Sequence, residues 1–493
     1  MASDVQLANE TVPIHARMLI DGEWVDGPVR LEVRNPARPS ELVGTAVRGT
    51  PEDIDAAAAA AKAAQPAWAA KGYRARAAVI AEALTRLEDD IDARAVIYSR
   101  ENGKTLAEAK GELNSVHMRQ RLTLELVDEL EAERVLQDQQ GRTFVTRVPW
   151  GTVVSIVPWN APVPLGFMQI VPALLAGNAV IVKPPETCPL ALTRCVEMIA
   201  DLFPPGVLGL VTGLPAEIGD RLTGHPDVAK IAFTGSIPSA RHIMANAAET
   251  IKGITLELGG NDPAVLLDDV DLSDKTMDQM ASVVFRMSGQ VCMAIKRVYV
   301  PSAIKDRFVD AFAKAADKVV VGEGIRPRVT MGPLHLEKGL IRGRSLVEDA
   351  EHSGASVLPL GKIDDLDTFN GGWFMQPTLV TDVPDDAPLM TEEQFCPALP
   401  IATYDDIDEA VSRANDTTFG LGGSVWGKNV DRALEVARRI QSGTVWVNTH
   451  GTQAINRRAP YGGIKQSGIG RRAGIEGMHE YLQVQTITSY EPG

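Results

Sequence analysis

The feature that most constrains the fold is a regular alternation of apolar, β-branched runs with helix-like segments between residues 151 and 258. The five runs begin near Val153, Ala179, Val207, Val228 and Ile254. A strand that is apolar on both faces has to be buried on both faces, and such strands alternating with helices are typical of a parallel sheet covered on both sides. The sequence therefore predicts an α/β fold with a doubly wound parallel sheet in this region.

A second α/β unit is predicted over residues 260–455. Its clearest strands are Arg297–Val300, Thr378–Val383, Leu399–Thr403 and Thr444–Val447. The intervening helices are predicted at 303–316, 406–415 and 430–440, and further helices fill much of 52–134. Two other segments, 142–149 and 481–490, alternate apolar and polar residues, which is typical of exposed edge strands. The unpaired backbone groups of such edge strands are usually protected from other chains, often by pairing with another subunit.

The length, net charge, apolar runs and cysteines of the chain exclude several classes of protein. A chain of 493 residues with 45% hydrophobic residues is long enough for two to four globular domains. The net charge of −15 disfavours nucleic acid and anionic membrane surfaces as partners. No apolar run reaches the ~18 residues of a membrane span, and residues 1–17 lack the apolar core of a secretory signal. The four cysteines fit neither a disulfide framework nor a zinc template. We therefore expect a cytoplasmic protein without a metal site.

Polar residues follow the ends of several predicted strands. They are Asn160, Lys183, Glu186, Gly235 and Ser236. Ligands of doubly wound sheets bind at the carboxyl ends of the strands, so these residues are expected to line one site. The glycine fingerprint of a standard dinucleotide-binding loop is absent from this sheet.

Cys292 and Glu257 are the candidates for covalent and acid–base chemistry. Most lone cysteines are buried and inert, and a glutamate at the end of an apolar strand is either paired structurally or a base with a raised pKa. Each of these two residues, however, lies in a glycine-containing segment, which favours a thiol nucleophile with a carboxylate base. Asn160 follows Pro158-Trp159 and is either a turn residue or an amide that donates to an oxyanion.

Five segments together resemble the aldehyde dehydrogenase superfamily. They are PWN at 158–160, TLELGGND at 255–262, SGQVC at 288–292, EEQFCP at 392–397 and PYGGIKQSGIGR at 460–471. The resemblance extends from about Leu19 to Tyr481 and implies a Rossmann-type cofactor domain, a second α/β catalytic domain and a small β oligomerisation arm. The implied boundaries are 1–128 with 150–258 for the NAD-binding domain, 259–473 for the catalytic domain, and 129–149 with 474–493 for the arm.

The resemblance also implies a reaction, the oxidation of an aldehyde to a carboxylic acid with NAD. In it, Cys292 attacks the aldehyde and forms a thiohemiacetal and then a thioester, Asn160 stabilises the oxyanion, and Glu257 activates water. Cys188, Cys195 and Cys396 have no such role. The implied assembly is a homodimer or a homotetramer.

The cofactor contacts implied by the resemblance are Trp159, Lys183, Glu186, Gly235, Ser236, Leu258, Gly259, Glu393 and Phe395. Among them, Glu186 favours NAD over NADP, because a carboxylate accepts from the ribose hydroxyls and repels a 2′-phosphate. Two positions depart from the pattern of the superfamily, which usually has glycine where Ala240 and Cys396 stand. A side chain at Cys396 is expected to shift its loop or to expose a second thiol near the cofactor.

The implied substrate contacts are Ala161, Leu165, Met168 and Val291. Ala161 and Met168 stand where many relatives carry aromatic rings, so we expect a wide, apolar entrance. No cluster of cationic residues in these segments points to an acidic substrate.

Two alternatives share the fold. In a CoA-acylating enzyme the thioester would pass to CoA instead of water, but that subgroup lacks the glutamate base. A structural or binding protein without turnover would not need the full set of catalytic positions.

Overall fold

The computed structural model describes residues 14–138 and 141–490, and its first unit is built on an eight-stranded sheet. The five central strands are parallel and lie in the spatial order Gly253–Glu257, Lys230–Thr234, Thr152–Ile156, Ala179–Lys183 and Leu208–Leu210. Antiparallel strands complete the two edges, with Gly468–Ile469 on one side and Met18–Ile20 followed by Glu23–Val25 on the other. The five predicted apolar runs thus form the buried centre of the sheet.

The order of these strands creates a crevice at their carboxyl ends. From Thr152–Ile156 the chain adds the next two strands on one side and then returns to add Lys230–Thr234 on the other. Helices that leave in opposite directions open a gap at this point, where doubly wound sheets bind their ligands. The loops that follow these two strands begin at Val157 and Gly235.

Helices cover both faces of the first sheet. Those before it are Pro51–Ala69, Gly72–Arg86, Ile91–Asn102, Leu106–Leu124 and Val127–Glu131, and those between its strands are Pro162–Ala176, Leu190–Glu197, Pro215–Gly224 and Ile237–Ala248. Gly103 and Gly177 end two of them with φ of +92° and +96°. The helix Leu190–Glu197 is short and is followed by a 3-10 turn over Ala200–Leu202.

The second unit contains a seven-stranded sheet. Its spatial order is Ser356–Pro359, Thr378–Thr381, Ala398–Tyr404, Ile295–Pro301, Asp262–Leu266, Gly422–Trp426 and Thr444–Val447, and only the first strand is antiparallel to its neighbour. The sequence missed the central strands Asp262–Leu266 and Gly422–Trp426. They begin with Asp-Pro and Gly-Gly, residue types that are depleted from strands, and tertiary packing overrides that preference here.

The helices of the second unit and the C-terminal region are Asp274–Phe285, Lys305–Ala316, Glu337–His352, Leu366–Gly371, Pro388–Thr391, Ile407–Asn415, Val430–Ala437 and Gly474–His479. Short 3-10 turns occur at Arg286–Gly289, Ser302–Ile304 and Lys465–Ser467. An N-terminal three-stranded sheet is made of Ile14–Ala16, Arg38–Val47 and Arg30–Asn35, and Val320–Val321 pairs with Lys362–Ile363.

The two predicted edge strands pair with each other inside one chain. Leu482–Tyr490 lies antiparallel to Gly141–Pro149, whose other side pairs with Arg134–Asp138. We call this three-stranded sheet the arm sheet. Within the described residues no further strand pairs with its outer edges, and the outer strands expose the apolar side chains of Val135, Leu136, Val484, Ile487 and Tyr490.

No helix in the described part of the chain is long and apolar enough to cross a membrane. Most of the N-terminal segment that we predict not to be a secretory signal, residues 1–13, lies outside the described residues, as do 139–140 and 491–493 of the predicted arm. The predicted domain boundaries remain predictions.

Candidate active site

The three catalytic candidates line one cavity. Cys292, Glu257 and Asn160 come from three different segments and meet around a space of about 100 Å³. The four predicted substrate contacts, Ala161, Leu165, Met168 and Val291, line the same space. The crevice at the carboxyl ends of the first sheet therefore faces the loop that carries the thiol.

The loop before Cys292 has an unusual backbone. A 3-10 turn covers Arg286–Gly289, and Met287 and Ser288 inside it have φ of +50° and +59°. Left-handed geometry is costly for residues with a Cβ, and it persists only where surrounding contacts hold it. Here the backbone N–H of Met287 donates to Glu108 at 2.8 Å, and the hydroxyl of Ser288 donates to the carbonyl of Gly332 at 2.7 Å.

Gln290 and Asn160 fix the last residues before the thiol. The side chain of Gln290 accepts from the backbone N–H of His335 at 2.9 Å and donates to the carbonyl of Met287 at 2.8 Å. Nδ2 of Asn160 donates to the carbonyl of Gln290 at 3.0 Å. This bond uses one N–H of the Asn160 amide and leaves the other for an acceptor in the cavity.

The thiol of Cys292 is free and partly buried. Burial, followed by the nearby carboxylates of Glu393 and Glu257, raises its pKa to about 12, whereas Lys296 lowers it. The thiol is therefore protonated at neutral pH in this arrangement. A group that accepts its proton is needed before the sulfur can act as a nucleophile.

Glu257 ends its strand and points into the cavity as a buried carboxyl. Burial raises its pKa to about 7, while the charges of Arg472 and Arg471 act in the opposite direction. Its Oε1 lies 4.0 Å from Nε of Arg472 and has no hydrogen-bond partner among the described residues. A carboxyl with a pKa near neutrality and an unused oxygen is suited to accept a proton.

The predicted adenosine contacts lie together at a strand end. Nζ of Lys183 is 3.2 Å from Oε2 of Glu186, whose side chain is about one-third exposed. On the other side of the crevice, Gly235 follows its strand, and a Cβ there would lie 2.4 Å from the ring of Phe233. Ser236 caps the helix Ile237–Ala248 and accepts from the backbone N–H of Ser239. A helix start favours phosphate, although here Pro238 has no N–H to donate and the N–H of Ser239 is used by the cap.

Aromatic residues surround Trp159. Its ring stacks on His335 at 4.9 Å between centroids, and Phe395 meets it edge-on at 5.7 Å. His335 is a contact that the sequence did not single out. Burial lowers the pKa of His335 to about 4, so that it is neutral.

Glu393, the second carboxylate among the predicted cofactor contacts, lies against the loop that follows the strand ending at Glu257. Glu393 accepts from the backbone N–H of Gly260 at 3.0 Å, and a Cβ on Gly259 would lie only 2.2 Å from its carboxylate. Burial raises the pKa of Glu393 to about 7. Leu258, just before these glycines, is buried and donates its backbone N–H to Ser467 at 2.9 Å.

These residues fit a dinucleotide. An acidic and a basic side chain at one strand end, a helix start across the crevice and the carboxylate of Glu393 against Gly259 together provide ribose and phosphate partners without a glycine fingerprint.

Lys296 is a functional candidate that sequence reasoning missed. It is buried, and its ammonium donates to the carbonyls of Gly289 at 2.7 Å and Gln394 at 2.8 Å. It thereby ties the Cys292 loop to the loop of Glu393. The only sequence signal is a lysine in an apolar strand, Ile295–Pro301.

Four arginines were also missed, and they change the expected character of the entrance. The cavity is lined by Arg119, Arg286, Arg457 and Arg472. We predicted an apolar entrance from the segment after Asn160 alone, and that segment does carry apolar side chains. The arginines come from a distant helix and from loops, so no local pattern connects them, although Arg286 precedes Cys292 by six positions.

The two departures from the superfamily pattern are accommodated by packing. Cys396 is buried rather than exposed, so the expected second accessible thiol near the cofactor is wrong. It packs against Gly343 of the helix Glu337–His352, where an added Cβ would lie 3.1 Å from its sulfur. Ala240 is buried in the helix that Ser236 caps.

Comparisons with known proteins agree with this geometry. A sequence profile of the aldehyde dehydrogenase family matches residues 24–487. The NADP(+) succinate-semialdehyde dehydrogenase of Escherichia coli K12 is 34% identical over 97% of this chain and 98% of its own. The betaine aldehyde dehydrogenase of Bacillus subtilis is 33% identical over 95% and 96%. The crystal structure of the Staphylococcus aureus betaine aldehyde dehydrogenase with NAD+ superposes with a TM-score of 0.91, at 31% identity, over 99% of this chain and 97% of that one.

The doubly wound sheet and the crevice that faces the Cys292 loop belong to the same fold as solved aldehyde dehydrogenases. The chain belongs to the aldehyde dehydrogenase family. The predicted fold class is confirmed, and the protein is an NAD(P)-dependent aldehyde dehydrogenase that oxidises aldehydes to acids.

Proposed function

We propose that Cys292 is the nucleophile, Asn160 the oxyanion donor and Glu257 the base of this oxidation. The observation that carries the proposal is their meeting in one cavity from three separate segments. In addition, Glu257 has a pKa of about 7, which suits proton transfer at neutral pH.

The first half of the reaction forms a bond between sulfur and carbon. The thiol of Cys292 loses its proton, with Glu257 as the nearby acceptor, and the thiolate adds to the aldehyde carbon. The carbonyl oxygen becomes an oxyanion, which the free N–H of the Asn160 amide stabilises. A bound nicotinamide cofactor would supply the hydride acceptor through which the adduct on Cys292 becomes a thioester.

The second half of the reaction releases the acid. Glu257 first releases the thiol proton to solvent, and the carboxylate then takes a proton from water as the water oxygen attacks the thioester carbon. The carbon–sulfur bond then breaks, the acid leaves, and Cys292 is recovered. Because burial holds the pKa of Glu257 at about 7, the carboxyl is able to carry and return a proton at neutral pH.

The cofactor preference is proposed to be NAD over NADP. Glu186 is proposed to accept from the ribose hydroxyls, with Lys183 beside it at 3.2 Å. Further contacts are proposed from Trp159, Gly235, Ser236, Leu258, Gly259, Glu393 and Phe395.

We also propose a homo-oligomer, a dimer or a tetramer. The arm sheet supports it, because both of its outer strands are open and expose apolar side chains. The four free thiols support a reducing compartment, for which we propose the cytosol.

The experiment that tests the proposal is a comparison of wild type with Cys292→Ala. Formation of NADH and of product is followed over a panel of aldehydes, with and without CoA. The proposal expects free acid as the product, and it expects the variant to lose turnover by about 10⁴-fold or more while it still folds. Cys396→Ala is the control, because that thiol is buried outside the cavity lining. Formation of acyl-CoA instead of acid would favour the CoA-acylating alternative.

A further inference from the structure

Three arginines from separate parts of the chain line the cavity that contains Cys292. Arg119 comes from the helix Leu106–Leu124, Arg286 from the turn before the nucleophile, and Arg457 from a loop of the second unit. All three are half-buried. Arg286 also lines a wider cleft next to the cavity, which places it where the two spaces join.

These arginines have no carboxylate within ion-pair distance in the part of the chain that the structure describes. The two glutamates that line the same cavity are engaged elsewhere. Glu112 accepts from Lys104 and from the hydroxyl of Tyr98, both at 2.6 Å, and Glu257 faces Arg472. The cavity therefore has an excess of positive charge.

Mutual repulsion among the arginines is visible at Arg119. Burial, followed by the charge of Arg457, lowers its pKa to about 10, and Arg286 acts in the same direction. Grouping like charges in a partly buried space is unfavourable unless an anion is present to neutralise them.

The orientation of Arg457 is fixed by neutral partners. Its guanidinium donates to the carbonyl of Thr452 at 2.9 Å and to the hydroxyl of Tyr461 at 3.2 Å. These bonds hold the planar group in place without neutralising it. Guanidinium groups held in this way recognise carboxylates and other planar or multivalent oxyanions.

The same cavity also has apolar lining residues. Leu165, Met168 and Val291 line it together with Cys292. An apolar wall combined with positive charge matches a molecule with a short aliphatic chain between an aldehyde and an acidic group.

We propose that Arg119, Arg286 and Arg457 form an anion subsite, and that the substrate is a small aldehyde with a carboxylate at its far end. This proposal rests on the proposed role of Cys292, which fixes where the aldehyde lies. The relatives do not decide the matter, because they include an enzyme named for an anionic semialdehyde and one named for a cationic aldehyde.

The test compares substrates of equal length and different charge. A four-carbon ω-oxo carboxylate, neutral butanal and an aldehyde with a trimethylammonium group are assayed with wild type, Arg119→Gln and Arg457→Gln. We expect wild type to favour the carboxylate over butanal by about tenfold or more in kcat/KM, and each variant to lose about tenfold of that ratio, mainly through KM.

Arg458→Gln is the matched control. Arg458 is adjacent in sequence but exposed, and it pairs with Glu125 at 2.7 Å away from the cavity. Its substitution should leave the substrate ratio unchanged. Arg119→Lys, which keeps a charge, should recover part of the preference.

A second measurement does not depend on the variants folding. Succinate should inhibit the turnover of butanal by wild type competitively, and the inhibition should weaken with added salt. The proposal is overturned if wild type prefers butanal or the cationic aldehyde, or if succinate does not compete. If wild type oxidises butanal in a reaction that depends on Cys292 but does not distinguish the carboxylate, neutral and cationic aldehydes, only the anion subsite is overturned. Absence of turnover with every aldehyde would instead contradict the proposed function.

Discussion

Nε of Arg472 lies 4.0 Å from Oε1 of Glu257, and both side chains are at least nine-tenths buried. Arg472 also donates to the hydroxyl of Thr234, which ends a neighbouring strand of the first sheet. The arginine is thus anchored to the sheet and holds a positive charge beside the proposed base. Its charge opposes the effect of burial, which is the larger of the two and raises the pKa of Glu257 to about 7.

The first prediction concerns the pH dependence of turnover. Glu257 acts as a base only when deprotonated, so the rate should rise with pH through its pKa near 7. Because Arg472 lowers that pKa, Arg472→Gln should move the rising part of the profile to higher pH. Arg472→Lys should move it less. Steady-state profiles of kcat measure both, and an unchanged profile in Arg472→Gln would show that the charge does not control the base.

The second prediction concerns the choice of cofactor. Glu186→Gln removes the negative charge at the strand end and should raise the ratio of kcat/KM for NADP over NAD by about tenfold, for a repulsion of ~1.4 kcal/mol. Glu197→Gln is the control, because Glu197 also forms an i,i+3 ion pair, with Arg194, but on the helix Leu190–Glu197. A wild-type enzyme that already prefers NADP would contradict the role of Glu186.

The third prediction concerns the nucleophile loop. Gly289 has φ of +74°, and a Cβ on it would lie 2.3 Å from the carbonyl oxygen of Cys396. Gly289→Ala should therefore lower the thermal midpoint and reduce kcat by displacing the Cys292 loop. Gly354→Ala is the control, because Gly354 has φ of +95° and open space around it. Gly354→Ala should lower the free energy of unfolding by only about 1 kcal/mol, which is the cost of left-handed backbone geometry for an alanine. Equal effects of the two substitutions would show that the crowding is unimportant.

The fourth prediction concerns assembly. Ile487 and Val484 are exposed on an open strand of the arm sheet, whereas Leu482 at its start is buried. Deletion of residues 484–493 should lower the molar mass in sedimentation and should leave the packing at Tyr481 and Leu482 intact. Ile487→Glu should have the same effect, and Gln485→Glu a smaller one. A wild-type protein that sediments as a monomer at micromolar concentration would refute the proposed oligomer.

The first sheet could be predicted because the residues that specify each of its strands are close together in the sequence. Each strand is a short apolar run, and residues after strand ends converge in any doubly wound sheet, which led to the prediction of Asn160, Lys183 and Gly235 as site residues. The strand Asp262–Leu266 was missed because its first residues disfavour strands, and only its position between two buried strands makes it one.

The positive charge of the cavity could not be predicted from the sequence. Arg119 and Arg457 are more than 300 positions apart in sequence and meet only in the folded chain. The left-handed backbone at Met287 is likewise held by a distant residue, Glu108. The edge strands were recognised by their alternation, but the sequence did not reveal that they pair within one chain.

The central claim is that Cys292 carries the acyl group and Glu257 removes it. The most direct test is mass spectrometry of Glu257→Gln after mixing with NAD and an aldehyde. Since the variant lacks the base for water, acyl-enzyme should accumulate and the steady-state rate should fall by about 10²-fold or more. The burst of NADH should be slower than the first turnover of wild type, because Glu257 is also the proposed acceptor of the Cys292 thiol proton. The account predicts one acyl group per chain on the peptide that contains Cys292. An adduct on another cysteine, or wild-type steady-state turnover without any adduct, would contradict it.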